Sequence, residues 1–467
     1  MTRQDPAQER SVASRSSPSG RLVFGIVSLA FLMGSIDLTI VAIALPTIHR
    51  RLGASIAWVG WTITIYGLST VVSLPIAGNL SNRIGTRRLF VAGVALFTAS
   101  SLACGLATNI YVLIICRVFQ GMGGAAFSPT ATGLIAEHFG PMRDKAIGAL
   151  AAVGSAGQII GPLIGGLLVG YLSWRWIFFV NIPIGVVLII LTMRFIPPSP
   201  PTASAKTDLR GLMLMAGFVL ALIFGVTSLG SGHNSVTSPV VFVPELCAVL
   251  LLFAFIRHTK RSSHPFVPLR LLTGKGFAVM NAINLLHGTI TVGIASLVPL
   301  YAENRYHLDV LDAGTLLTPR AIGMILTGTV AALALRRTGY RLPLAMGYSI
   351  IAFGAVLLSI SPRWGISPYV WMSICVSIVG LGIGCTNPAA SNASLHLAPE
   401  HVSAVTGLRG MFILLGVIFT VAVNTAILNR STDPGITQAH LYWFAPVIVF
   451  VFMMPLVSRV PEHEGGW

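Results

Sequence analysis

The sequence predicts an all-α polytopic membrane protein of fourteen transmembrane helices, arranged as two six-helix halves with a two-helix insert between them. Three observations carry this. Hydrophobic residues make up 54% of the 467-residue chain and charged residues only 9%, far below the roughly 25% charge of a soluble domain. Apolar stretches long enough to cross ~30 Å of hydrocarbon at about 1.5 Å per residue recur along the chain. The Lys and Arg residues mostly fall between these stretches, so their spacing reads as topology.

Residues 1–21 are polar, rich in Ser, Arg and Pro, and too long and mixed to precede a cleavable signal core. They predict a disordered cytoplasmic tail. Six apolar cores follow, at 22–46, 57–78, 89–107, 110–136, 146–171 and 176–196, giving an N-terminal half over 22–196. Irregular backbone cannot face lipid, and none of these segments alternates like a barrel strand, so each predicts a helix. Residues 197–208 (PPSPPTASAKTD) form a linker, and cores at 210–230 and 240–257 make the insert, 209–257. The sequence leaves the role of the insert open, filling of a lipid-facing groove being one reading. A basic cytoplasmic connector spans 258–275 (HTKRSSHPFVPLRLLTGK). The C-terminal half, 276–459, has cores at 276–301, 312–335, 342–360, 368–392, 402–428 and 440–458, before a cytoplasmic tail at 460–467.

Placing the N-terminus in the cytoplasm puts most of the 30 Lys and Arg residues on that side, as the positive-inside bias requires. An even number of spans returns the C-terminus there. An internal repeat supports the division: Arg83-Ile84-Gly85-Thr86-Arg87 follows the second segment and Arg337-Thr338-Gly339-Tyr340-Arg341 the tenth. Both read RxGxR at matching positions of a six-helix half, as parallel transporter repeats would give.

The formal charge of +16 is dispersed among loops, which excludes a nucleic-acid reader with its basic face or helix. Cys104, Cys116, Cys247, Cys375 and Cys385 lie in apolar segments without metal or CxxC spacing and read as packing residues. Phosphate-loop, zinc-protease and serine-hydrolase patterns do not occur. No catalytic residue, metal site or cofactor is expected.

Charge inside a membrane costs roughly 2.5 to 3.5 kcal/mol at a helix centre, so its exceptions are informative. Asp37 lies nine residues before Pro46, at the outer end of the first segment, and Arg117 about eight residues past Asn109, where the fourth begins outside. They share a depth. Such a pair can offset each other's desolvation and respond to a proton; the alternatives are a static pair pinning two helices or an Asp37 that caps a bend. Thr39 and its small neighbours suit a cavity face. Gly157, Gly161 and Gly165 recur every fourth residue and form a stripe for close packing, with Pro162 breaking the ladder and Gly166 beyond. The turn Gly78–Arg88 (GNLSNRIGTRR), with Asn82, Arg83, Gly85, Arg87 and Arg88, sets topology and offers a latch between the second and third segments. Arg320, with Glu245, Glu303 or Asp312 as partners, and Arg409, which can snorkel, are secondary candidates. His287 reads as a hydrogen-bonded packing residue.

These residues resemble the major facilitator superfamily, in its fourteen-helix drug:proton antiporter branch. Asp37–Pro46 (DLTIVAIALP) is similar to the family's LDxTIVNVALP, and Arg117-Val118-Phe119-Gln120-Gly121 to its RxxQG element. Residues 157–166 match the antiporter signature GxxxGPxxGG, and Arg175–Gly185 (RWIFFVNIPIG), after Trp174, looks like the branch's WRWIFxxNxPIG. Asn82 stands where the family has Asp, Ala42 where it has Asn, and Glu303 where it often has Gln; the tenth segment lacks an acid. The resemblance implies alternating access around a central cavity, with proton entry driving multidrug export of lipophilic or cationic compounds. It further implies a prokaryotic plasma membrane location, a small-molecule substrate and function as a monomer. Asp37 and Arg117 would serve proton coupling and Gln120 and Gly121 the cavity motif. An exporter of one metabolite, sugar or siderophore is the runner-up, and a passive channel or membrane sensor a distant third.

Overall fold

A computed structural model describes residues 20–54, 56–198, 208–230, 237–263, 265, 267–293, 297–308, 312, 315–362, 365–428 and 430–462. Most of the expected N-terminal tail, residues 199–207 of the linker and residues 463–467 lie outside the described residues. The first half comprises α1 (Gly20–Leu52), α2 (Ile56–Ile84), α3 (Thr86–Leu106), α4 (Ile110–Ala125), α5 (Phe127–Phe139), α6 (Arg143–Tyr171), α7 (Trp176–Phe179) and α8 (Asn181–Phe195). The insert is α9 (Leu209–Gly230) and α10 (Pro239–Arg261). After a short α11 (Leu269–Thr273), the second half runs through α12 (Phe277–His287), α13 (Val298–Tyr306), α14 (Leu317–Thr338) and α15 (Arg341–Ser359). It ends with α16 (Pro368–His396), α17 (Val402–Leu428), α18 (Pro434–Val447) and α19 (Met454–Val457). A π-turn, Gly288–Gly293, extends α12.

No strand occurs among the described residues. Twelve helical spans among them are long and apolar enough to cross a membrane, which makes this a multi-pass membrane protein. The other two expected segments are also helical where described. Residues 146–171 fall in α6, and 276–301 run through α12, the π-turn and the start of α13. Large apolar side chains such as Phe253 and Val330 are exposed, a surface only lipid solvates well.

Local chemistry sets the helix ends. Asn109 Oδ1 accepts the Val112 N–H at 2.9 Å to start α4, and Asp433 Oδ1 accepts that of Ile436 at 2.8 Å to start α18. At the two RxGxR turns, Gly85 has φ 93° and Gly339 φ 67°, a conformation glycine adopts without Cβ strain. The sequence repeat is therefore also a backbone repeat. A carboxylate serves each turn: Thr86 Oγ1 donates to Glu137 Oε1 at 2.6 Å, and the N–H groups of Tyr340 and Arg341 donate to Glu462 at 2.9 and 2.8 Å.

The glycine stripe of α6 packs on α1. A methyl at Gly157 would sit 2.7 Å from Ser35 Cβ and one at Gly165 2.8 Å from Ile40 Cγ1, so only glycine allows this approach. The side chain of Pro162 lies outside the described residues. Within the halves, α2 and α3 pack on α4, while α14 and α15 pack on α16. The halves meet chiefly through α2 with α17 and α6 with α14. Gly78 seats against the Ser403 carbonyl, Ser81 Oγ lies 3.2 Å from Ser403 Oγ, and Gly407 and Gly410 face Leu74. This seam lies toward the end that carries the Gly85 turn, called the basic end below. Helix α9 packs against both α2 and α17, so the insert touches both halves.

Candidate functional site

Asp37, near the middle of α1, and Arg117, in α4, are 0% and 1% exposed and form an ion pair, Arg117 Nη1 to Asp37 Oδ2, at 2.8 Å. A bare pair so deep would not recover its desolvation cost, which is several kcal/mol per ion. The surroundings explain its survival. Arg117 Nη1 also donates to Gln120 Oε1 at 2.7 Å, and Arg117 Nε to the Thr62 carbonyl at 3.1 Å. The guanidinium lies 4.1 Å over the Tyr66 ring. Asp37 Oδ1 accepts from Gln120 Nε2 at 2.9 Å and Asn181 Nδ2 at 3.1 Å.

Ser101 closes the net. Its hydroxyl accepts from Gln120 Nε2 at 3.1 Å and Asn181 Nδ2 at 3.0 Å, and donates to the Phe178 carbonyl at 3.0 Å. Gln120 and Asn181 are themselves 0% and 2% exposed. Residues of α1, α2, α3, α4, α7 and α8 thus converge on one carboxylate. Buried networks of this kind are favourable only when their members are satisfied; here both Asp37 oxygens, Arg117 Nε and Nη1, and both Gln120 amide atoms have partners.

Lone-pair accounting shows what the net can do. A carboxylate offers about two acceptor positions per oxygen. Oδ1 has both engaged by amide donors, so a proton arriving there must displace Gln120 or Asn181. A proton on Oδ2 would sit beside the Arg117 cation and cancel the charge that holds it. In either position, protonation loosens contacts that tie α1 to α4 and α8. The arrangement links the charge state of one group to the packing of several helices.

The equal depth of Asp37 and Arg117 and the inclusion of Gln120 match the sequence reading. Thr62, Tyr66, Ser101 and Asn181 were not foreseen, although Asn181 is a polar residue in an apolar segment. Gly121 crosses α2 closely, near Ser69 Oγ and the Tyr66 carbonyl. Thr39, expected on a cavity face, is partly buried; its hydroxyl bonds back to the Ser35 and Ile36 carbonyls and lies against Gly161 of α6. The latch at the Gly85 turn also has other partners than expected. Arg83 Nε donates to Asn79 Oδ1 at 2.8 Å and Arg87 Nη2 to the Met193 carbonyl at 2.7 Å, both within the first half. Gly78 and Ser81 make the contact to α17. Asn82 is partly buried and Arg88 exposed.

In the second half, Arg320 of α14 is buried, and no ion pair among the described residues joins it to Glu245 or Glu303; Asp312 is exposed. Glu245 lies inside the insert, its carboxyl against Gly225 of α9. Arg409 Nη2 donates to Asn387 Oδ1 at 3.2 Å. His287 is buried, 3.0 Å from the Tyr348 hydroxyl, and so is hydrogen-bonded in the core as expected.

A multi-pass helical bundle with a buried acid–base net inside its first half fits a membrane transporter. The chain belongs to the major facilitator superfamily, whose family profile matches residues 27–421. It is 31% identical over 382 residues to the multidrug resistance protein B homolog of Mycobacterium tuberculosis, covering 81% of this chain and 71% of that one. It is 30% identical over 378 residues to the tetracenomycin C resistance and export protein of Streptomyces glaucescens, covering 80% and 70%. The human organic anion transporter MFSD10 (TETRAN) shares the fold, with a TM-score of 0.68 at 13% identity over 94% of this chain and all of that one.

Proposed function

We propose that this protein is a multidrug exporter of a bacterial plasma membrane that moves small lipophilic or cationic compounds outward by alternating access, driven by protons entering through Asp37. The observation that carries the proposal is the buried hydrogen-bond net on Asp37, in which a proton on Oδ1 displaces Gln120 or Asn181 and one on Oδ2 cancels the charge that holds Arg117. The family and the multidrug resistance relative support efflux. Fourteen spans, both termini in the cytoplasm and function as a monomer complete the reading. The basic end then faces the cytoplasm. The α2–α17 seam is the closed inner gate, and Arg117 holds Asp37 until the proton arrives. A dedicated exporter of one compound is the second reading, favoured by the likeness to the tetracenomycin C export protein.

The deciding measurement is efflux in vesicles with an imposed pH gradient, using a panel of dyes and antiseptics. Wild-type protein should move several of them uphill, and collapse of the gradient should stop it. Transport indifferent to the gradient would exclude proton coupling, and transport of a single compound would favour the second reading.

A further inference from the structure

The first half pairs its buried arginine with a carboxylate; the second half does not. Its interior holds Arg320 and Arg409, and among the described residues neither has an acidic partner. The Nε atoms of both are buried without a hydrogen bond. Arg409 lines a small cavity between α12, α16 and α17, with room for about one water. Asn284, 1% exposed, lines the same cavity; its Nδ2 donates to Ser394 Oγ at 3.3 Å, and its Oδ1 has no partner. Asn392 of α16, outside the cavity lining, is 0% exposed with both amide atoms unpartnered. The remaining wall is apolar, with Phe277, Met280 and Leu408 among others, apart from Asn281, whose Nδ2 donates to the Leu271 and Leu272 carbonyls. Arg409 also lies close enough to His287 and Tyr348 to act on both electrostatically.

An uncompensated guanidinium in such surroundings needs an anion or strong acceptor in at least one state of the protein. A single water can serve a hydrogen bond but supplies no counter-charge. No acidic residue lines this cavity. We infer that Arg409, with Asn284 beside it, is the anchor for a negatively charged or strongly accepting group on an exported amphipathic compound, whose apolar body lies against Phe277, Met280 and Leu408. The cavity is closed here, and α17, which lines it, also seals the halves at the basic end through Gly407 and Gly410. Separation of that seam widens the space around Arg409. The guanidinium fork favours a planar carboxylate or phenolate over a cation. The transporter thus accepts anionic amphiphiles in addition to the cations its efflux reading implies, on which this inference rests.

The test uses full-length protein in proteoliposomes with a pH gradient, and two probes: fluorescein as the anion and ethidium as the cation. Wild-type protein is expected to export both. Arg409→Gln should raise the KM for fluorescein roughly tenfold or more, the loss of one charge-assisted contact, while ethidium kinetics stay near wild type. Arg409→Lys, which keeps the charge and loses the fork, should give an intermediate KM, and it supplies the comparison if the Gln variant does not fold. An equal effect on both probes, or export of ethidium but not fluorescein by wild-type protein, overturns the anion site and leaves the efflux reading intact. Failure to move either probe uphill overturns the efflux reading itself.

Discussion

Replacing Asp37 with Asn tests the net at its centre. The carboxylate accepts from Arg117 on Oδ2 and from Gln120 and Asn181 on Oδ1. An amide has one acceptor oxygen and one donor nitrogen, so in either orientation its NH2 faces at least one of these donors. Arg117 keeps Gln120 Oε1, the Thr62 carbonyl and the Tyr66 ring, yet loses its only counter-charge among the described residues. Breaking one side of a buried ion pair costs about 3–5 kcal/mol. Against a typical net stability of about 5–15 kcal/mol, the variant should still fold, with a clearly lower thermal midpoint in detergent. Uphill efflux in vesicles should be lost. Adding Arg117→Gln removes the stranded cation, so the double variant should recover most of the stability, a coupling of roughly 1–3 kcal/mol, without recovering transport. Undiminished proton-driven efflux by Asp37→Asn, or a double variant no more stable than the single, would refute the reasoning.

Three further outcomes follow from neighbouring geometry. Asn181→Ala removes donors to Asp37 and Ser101 and should lower stability by about 1.5–3 kcal/mol, read by thermal unfolding, with slower efflux at every pH tested. Gly161→Ala places a methyl against Thr39 Oγ1 and 3.1 Å from the Ile36 carbonyl and should cost roughly 1–3 kcal/mol and impair transport; Gly166→Ala meets open space and should be tolerated, as paired melting and efflux assays will show. Cysteines at Ser81 and Ser403, whose hydroxyls lie 3.2 Å apart, should cross-link on oxidation, stop transport and release it on reduction; transport unaffected by a complete cross-link would show that the seam is not a gate.

The Asp37–Arg117 pair was legible in the sequence because charge inside an apolar segment is costly and rare. The multi-pass helical class and the two glycine turns were legible for a related reason: hydropathy and left-handed glycines act locally. Asn181, Ser101 and the Thr62 carbonyl were not, since uncharged polar groups are common in membrane helices and a carbonyl has no sequence signature. The contact of Thr39 with Gly161 was not legible, because small polar residues suit a cavity wall and a packing seam equally. The partner of Gly78 and Ser81 lay beyond reach for a different reason. Ser403 is 322 residues away from Ser81 in sequence, and nothing local in either segment encodes their meeting.

The carboxylates at the two RxGxR turns reach them by unequal routes. Glu137 arrives 51 residues after Thr86, within the same half. Glu462 lies 122 residues after Tyr340, beyond the last helix of its half. During synthesis the first turn can therefore be completed while most of the chain is still unmade. The second must wait, its two N–H groups unserved, until residue 462 has left the ribosome. The first half has all its local parts early and the second only at the end, so the order of translation is also an order of assembly, with the amino-terminal bundle available as a template for the other.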